Sequence, residues 1–231
     1  MLDGRVCRDS GHTNAPNAYR GFCGVSSIQT AQGQFDALKQ ASKLVAPAGE
    51  GVAATQPEYR FDAQRTIQAL AQSLSSLHQV AIEPNSLLKE SQLCLSVDDI
   101  VETALRAAAL EPEELRDLSL AYRHMPRDRL TQILQDGAPS SEPSSSKPVL
   151  LQGNPRLSNL RFVGHTLMGF EDWSESVIGD PYFDLALAAR DILSTFGPQP
   201  IQAFFGEYGL QHPDPVRLDW YLLAAELCAV S

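Results

Sequence analysis

Apolar and polar positions follow a clear period only in the later part of the chain. Residues 1–33 are rich in Gly, Ser, Asn and Gln and carry little pattern beyond a faint strand in "GFCGVSSIQT". "QFDALKQASKLV" has Phe35, Leu38 and Leu44 at helical spacing and predicts a short helix. "APAGEGVAATQPEY" (46–59) reads as an irregular connector, because its prolines and glycines interrupt both helix and strand. From Phe61 the signal sharpens. Ile67, Leu70, Leu74 and Leu77 form one stripe of an amphipathic helix that ends near "LHQVAIEP". A second helix is predicted from Val97 to about Leu110, with Asp98 and Asp99 at its positive N-terminal end. "PEELRDLSLAYRHM" and "PRDRLTQILQD" predict two more, each with Pro near its first turn.

Gly137 to Pro148, "GAPSSEPSSSKP", has the composition of a flexible connector. After it the period changes. "VLLQGNPRLSNLRF" reads as a strand, a turn and the start of a second strand. "LRFVGHTLMGF" reads as a hairpin turning near Gly164 and His165, with Asp172 on its returning strand. "DPYFDLALAARDILSTF", "PIQAFFGEYG" and "DPVRLDWYLLAAELCAV" predict three further helices, the last with an Asp at its N-cap and Pro just inside. The expectation is a small hairpin embedded in helices. Phe162, Phe170 and Trp173 are expected in the core or in a pocket wall, and Tyr208, Trp220 and Tyr221 in the helical core.

Length and composition narrow the class. A chain of 231 residues that is 43% hydrophobic can bury a sizeable core in one large domain. The N-terminus is polar from its start, without an apolar leader, and no run is long enough to cross a bilayer, so a cytoplasmic protein without membrane association is expected. Cys7, Cys23, Cys94 and Cys228 are scattered and predict reduced thiols rather than a disulfide or zinc framework. The net charge of −10, from 28 acidic and 18 basic residues, excludes a nucleic-acid backbone as the main partner and leaves room for a cationic small molecule.

The turn after "VLL" holds the candidate chemistry. Gln152, Asn154 and Asn159 are uncharged amides at the neck, and Asp172 returns beside them. An amide oxygen and a carboxylate are hard ligands of the kind Mg²⁺ takes alongside phosphate and water oxygens. Asn159 and Asp172 are therefore candidates to clamp a metal bridging a nucleotide's phosphates. Protein kinases divide the task in this way, with an Asn on the catalytic loop and an Asp on the following hairpin. The alternative use of Asn159 is simply to cap the tight turn with its amide.

The residues from Gln152 to Asn159, with "GFEDW" after them, resemble the aminoglycoside phosphotransferase family of kinase-like enzymes. Its loop reads His-Gly-Asp-x-x-x-x-Asn and is followed by a hairpin and a metal-binding Asp. "GDPYFDLALAARDI", with Asp180, Asp184, Arg190 and Asp191, resembles the family's next helix. "AQSLSSLHQV", ending in Leu77 and His78, resembles the first helix of its helical lobe. The resemblance implies an α+β, protein-kinase-like fold. A mainly helical C-terminal lobe (56–231) would carry the catalytic-type loop and an embedded β-hairpin, after a reduced N-terminal lobe and hinge (1–55). It implies Mg²⁺, ATP or GTP, and a small-molecule hydroxyl acceptor. Asp184 and Arg190 would brace the helix against the loop.

Three departures stand out. Asn154 occupies the position of the family's catalytic Asp, and Gln152 that of its His. The N-terminal part, whose lysines are Lys39 and Lys43, lacks the strand pattern of a nucleotide-gripping lobe. An amide can hydrogen-bond a hydroxyl but cannot take its proton, and loss of a general base costs roughly 10²–10⁴ in rate. Transfer of a γ-phosphate to an alcohol is therefore expected to be weak or lost. The competing readings are a pseudokinase-like module that binds a small ligand or a protein, and a chain that folds without function.

Overall fold

The predicted stripe of the first long helix is wholly buried: Leu70, Leu74 and Leu77 are 0% exposed and Ile67 is 1% exposed. In the computed structural model this helix packs at the centre of one of two apolar clusters. The structure describes Ala46 and residues 49–80, 95–108, 122–140 and 147–228. The strand and helix expected before Ala46, most of the helix expected from Pro112, Cys7, Cys23 and Cys94, and Lys39 and Lys43 lie outside the described residues.

In chain order the elements are β1 (Val52–Ala53), α1 (Pro57–Phe61), α2 (Ala63–His78), α3 (Val97–Ala108), α4 (Arg127–Asp136), β2 (Val149–Leu151), β3 (Leu160–Val163), β4 (Thr166–Phe170), β5 (Val177–Gly179), α5 (Pro181–Phe196), α6 (Ile201–Tyr208) and α7 (Pro215–Cys228). Strands β1, β3 and β4 form an antiparallel sheet with β3 central. Leu160 pairs with Phe170, and Val163 with Thr166 across the exposed Gly164–His165 turn. A separate pair joins β2 to β5, with Val149 opposite Gly179 and Leu151 opposite Val177. The architecture is α+β, as expected.

Two details differ from the sequence reading. The connector before Tyr59 contains an edge strand and the start of a helix. Gly51 adopts φ +78°, and a Cβ there would lie 2.6 Å from the Phe162 carbonyl oxygen. That glycine does not merely break structure; it lets β1 approach β3 closely. Asp172 is not on the returning strand, because β4 ends at Phe170 and the chain turns at once. The Trp173 indole donates to the Phe170 carbonyl at 2.9 Å, and the Asp172 carboxylate accepts from the Ser174 amide at 3.0 Å.

The helices settle into two clusters. α2, α5 and α6 close over the three-stranded sheet, burying Phe162, Phe170, Trp173 and Phe204. α3, α4, α5 and α7 form the second cluster around Trp220 and Tyr221, where the Trp220 indole donates to the Leu134 carbonyl at 2.7 Å. Caps appear where the sequence signals them. Asp180 accepts from the Tyr182 amide at 3.0 Å at the start of α5, and Asp214 accepts from Val216 at 2.9 Å at the start of α7. Among the described residues no helix is long and apolar enough to cross a membrane.

Candidate functional site

The loop from Gln152 to Asn159 joins β2 to β3, and its backbone is held from below by α5. Asp184, 0% exposed, lies in the first turn of that helix with its carboxylate against the loop. Its Oδ2 accepts from the Gln152 amide at 2.7 Å and its Oδ1 from the Gly153 amide at 2.9 Å. Charge-assisted bonds to backbone amides are the strong kind, and a buried carboxylate needs them. His78, at the end of α2, places Nε2 3.2 Å from the same Oδ2. Its Nδ1 lies 2.8 Å from the Tyr208 hydroxyl.

Gln152 is itself fully buried and uses both ends of its amide. Oε1 accepts from the Asn154 amide at 2.7 Å, and Nε2 donates to the Asp172 backbone carbonyl. One side chain thus ties the loop carrying Asn154 to the loop carrying Asp172. Gly153, at φ +85°, sits so close beneath Glu175 that a Cβ would come within 2.0 Å of its carbonyl oxygen. The loop after β4 therefore lies directly on the turn after β2.

Asn154 is half-buried, and its carbonyl accepts from the Arg156 amide at 2.8 Å and from Asn159 Nδ2 at 3.0 Å. Asn159 does use its amide nitrogen to close the turn, which leaves Oδ1 as the atom suited to an external ligand. The Glu171 amide donates to the Asn159 carbonyl at 2.9 Å, so the hairpin register puts Asn159 opposite Glu171 and one residue away from Asp172. Asp172 is exposed, and its Oδ1 also accepts from the Ser174 hydroxyl at 2.8 Å. The two residues supply hard oxygens at one end of a hairpin, and that donor set fits Mg²⁺ completed by phosphate and water oxygens.

Further along α5, Asp191 accepts from the Leu157 amide at 2.7 Å. Burial pushes its carboxyl up, opposed by that amide and by the charges of Arg156 and Arg190. Arg190 reaches Glu226 of α7, with Nε 3.4 Å from Oε1. Glu175 is also pushed up, first by burial and then by the negative charge of Asp172. His78, Asp191 and Tyr208 carried no site expectation from the sequence. The available signal for His78 was its place four residues after Leu74 on the buried stripe.

Residues 32–221 match the sequence profile of a phosphotransferase enzyme family. An aminoglycoside 3'-phosphotransferase from Niallia circulans is 25% identical over 157 residues; the alignment covers 68% of this chain and 56% of that protein, so the chain spans little more than half of the relative. The crystal structure of an aminoglycoside-3'-phosphotransferase of type VIII superposes with a TM-score of 0.69 at 21% identity, covering 86% of this chain and 80% of that one. APH(3'')-Id from Streptomyces rimosus, solved in complex with ADP and streptomycin, superposes with a TM-score of 0.66 at 18% identity, covering 87% and 83%. At such identities the likeness establishes the kinase-like fold, while the profile match spans most of the chain. With the loop, hairpin and bracing helix arranged as described, the chain belongs to the phosphotransferase enzyme family.

Proposed function

We propose that the chain is an attenuated phosphotransferase that moves the γ-phosphate of ATP or GTP to a hydroxyl of a small, cationic acceptor. In this reading residues 56–231 form the helical lobe, and residues 1–55 a reduced N-terminal lobe and hinge. Asn159 and Asp172 would hold Mg²⁺, which supplies charge neutralisation for the phosphates. Asn154 would orient the acceptor hydroxyl without taking its proton, and Gln152 would keep Asn154 and the Asp172 loop in register. Asp184 would fix the loop backbone, and Arg190 would steady α5 against α7. Phosphoryl transfer relies mainly on positioning and charge stabilisation, so an amide at 154 lowers the rate without removing every contribution. The nucleotide and the acceptor follow from analogy with the Streptomyces rimosus protein and its ADP and streptomycin.

The observation that carries the reading is the hairpin register that leaves Asn159 and Asp172 at one mouth with oxygens suited to a cation. Thermal unfolding with MgATP and MgGTP tests it. A ligand at 100 times its Kd adds about 2.7 kcal/mol of stability, so a clear rise in Tm is expected. An unchanged Tm at millimolar nucleotide would remove nucleotide binding from the proposal. Asn154→Asp should raise turnover by roughly 10²–10⁴ if the missing base is the limiting defect. The amides at 154 and 152 favour a second reading, a binding module without turnover. That reading gains if nucleotide raises Tm while Asn154→Asp leaves turnover at background.

A further inference from the structure

We propose that Tyr208 is a positioning residue for the Gln152–Asn154 loop, acting through His78 and Asp184. Tyr208 closes α6, far along the chain from the loop, and its ring meets His78 edge-on with centroids 5.6 Å apart. Its hydroxyl lies 2.8 Å from His78 Nδ1. On the other side of the imidazole, Nε2 lies 3.2 Å from Asp184 Oδ2, the oxygen that also takes the Gln152 amide.

For a neutral imidazole the donors and acceptors in this line have one consistent assignment. An ionised carboxylate only accepts, so Nε2 must carry the hydrogen toward Asp184. In the neutral imidazole Nδ1 is then an acceptor and needs a donor, which the Tyr208 hydroxyl supplies. Burial, followed by the charge of Asp184, pushes the Tyr208 hydroxyl up to about 12, so it keeps its proton near neutrality and acts as that donor. The His78 side chain is 4% exposed and that of Asp184 is 0% exposed, so water has little access to substitute. Tyr208 therefore reinforces the tautomer that Asp184 demands, by giving Nδ1 its donor. That bond fixes the carboxylate beneath two consecutive loop amides.

The proposal's kinetic consequence rests on the phosphotransfer reading above; its effect on loop order does not. Tyr208→Phe removes one oxygen and leaves the ring packed. In the full chain, the ring ¹⁵N resonances of His78 should show a smaller population of the Nε2–H tautomer. Hydrogen exchange at the Gln152 and Gly153 amides should quicken by about tenfold beyond the change in global stability. In an Asn154→Asp background that turns over, Tyr208→Phe should lower kcat by about tenfold and leave KM within about twofold, as a displaced loop does. An unchanged tautomer with unchanged exchange at both amides overturns the proposal, as does faster exchange matched by every core amide. His78→Gln guards against a folding failure. Its amide nitrogen can still donate to Asp184, so loop exchange should stay near wild type and a second change at Tyr208 should add nothing. A Tyr208→Phe effect that persists undiminished in that background overturns the relay through His78. If exchange and tautomer respond while no variant transfers phosphate, the relay stands and the phosphotransfer reading fails.

Discussion

Gln152→Leu removes two hydrogen bonds while keeping a side chain of similar volume. The parent side chain is 0% exposed, with its oxygen 2.7 Å from the Asn154 amide and its nitrogen on the Asp172 carbonyl. Leucine leaves both backbone groups without that partner. Each buried orphan costs about 1–3 kcal/mol. Asn154 is half-buried, so water can recover part of the loss on that side, and the expected destabilisation is about 2–4 kcal/mol. For a chain of this size each kcal/mol moves Tm by about 2–4 °C, so the drop should be roughly 4–16 °C. Urea denaturation should report the same loss at an unchanged m-value. Gln152→Glu keeps the acceptor for Asn154 but turns a carboxylate toward the Asp172 carbonyl in a site closed to solvent, so it should destabilise at least as much. A Gln152→Leu variant that unfolds within about 0.5 kcal/mol of the parent, the range of an ordinary surface substitution, would refute the bridging role of Gln152.

Gly153→Ala should destabilise by at least about 2 kcal/mol in chemical denaturation, because alanine is strained at φ +85° and its methyl would strike the Glu175 carbonyl. Leu74→Ala in the middle of the α2 stripe should cost about 2–5 kcal/mol through lost burial and a residual cavity, read as a lower urea midpoint. Glu175→Gln should raise Tm near neutral pH. The folded-state pKa of Glu175 lies above its ordinary 4.5, so the folded chain binds this proton more tightly than the unfolded one. The penalty on stability is full above the raised pKa and disappears as pH falls toward 4.5. The Tm advantage of the variant should shrink over that window; an advantage that stays constant with pH would refute the assignment.

Helices were legible wherever an apolar face had to be buried. Ile67, Leu70, Leu74 and Leu77 marked α2, and Asp214 with Pro215 marked the start of α7. The β3–β4 hairpin was legible through its Gly164–His165 turn. β5 was not, since Val177–Gly179 is only three residues long and gains its identity from pairing with β2 across intervening chain. β1 was hidden for a related reason: two residues flanked by glycines have no period, and only the approach to Phe162 makes them a strand. Around the loop, Gln152, Asn154, Asn159 and Asp172 were singled out by their place at the neck of the hairpin and by the family resemblance. What Gln152 does was not, because a side chain that bridges two loops declares itself only once both loops are placed. Asp191 and Tyr208 act across long sequence separations, and no local pattern announces such partners.

Asp184 leaves the base of the loop little freedom to travel. Lifting the peptides of Gln152 and Gly153 would strip a buried negative charge of the amides that stabilise it, so that stretch serves as an anvil rather than a jaw. Freedom to move would lie instead on the solvent-facing side, where Asp172 and Ser174 stand in the open. Tolerated substitutions would accordingly be sought in residues that surround this fixed point, since moving the point itself unsettles the fold.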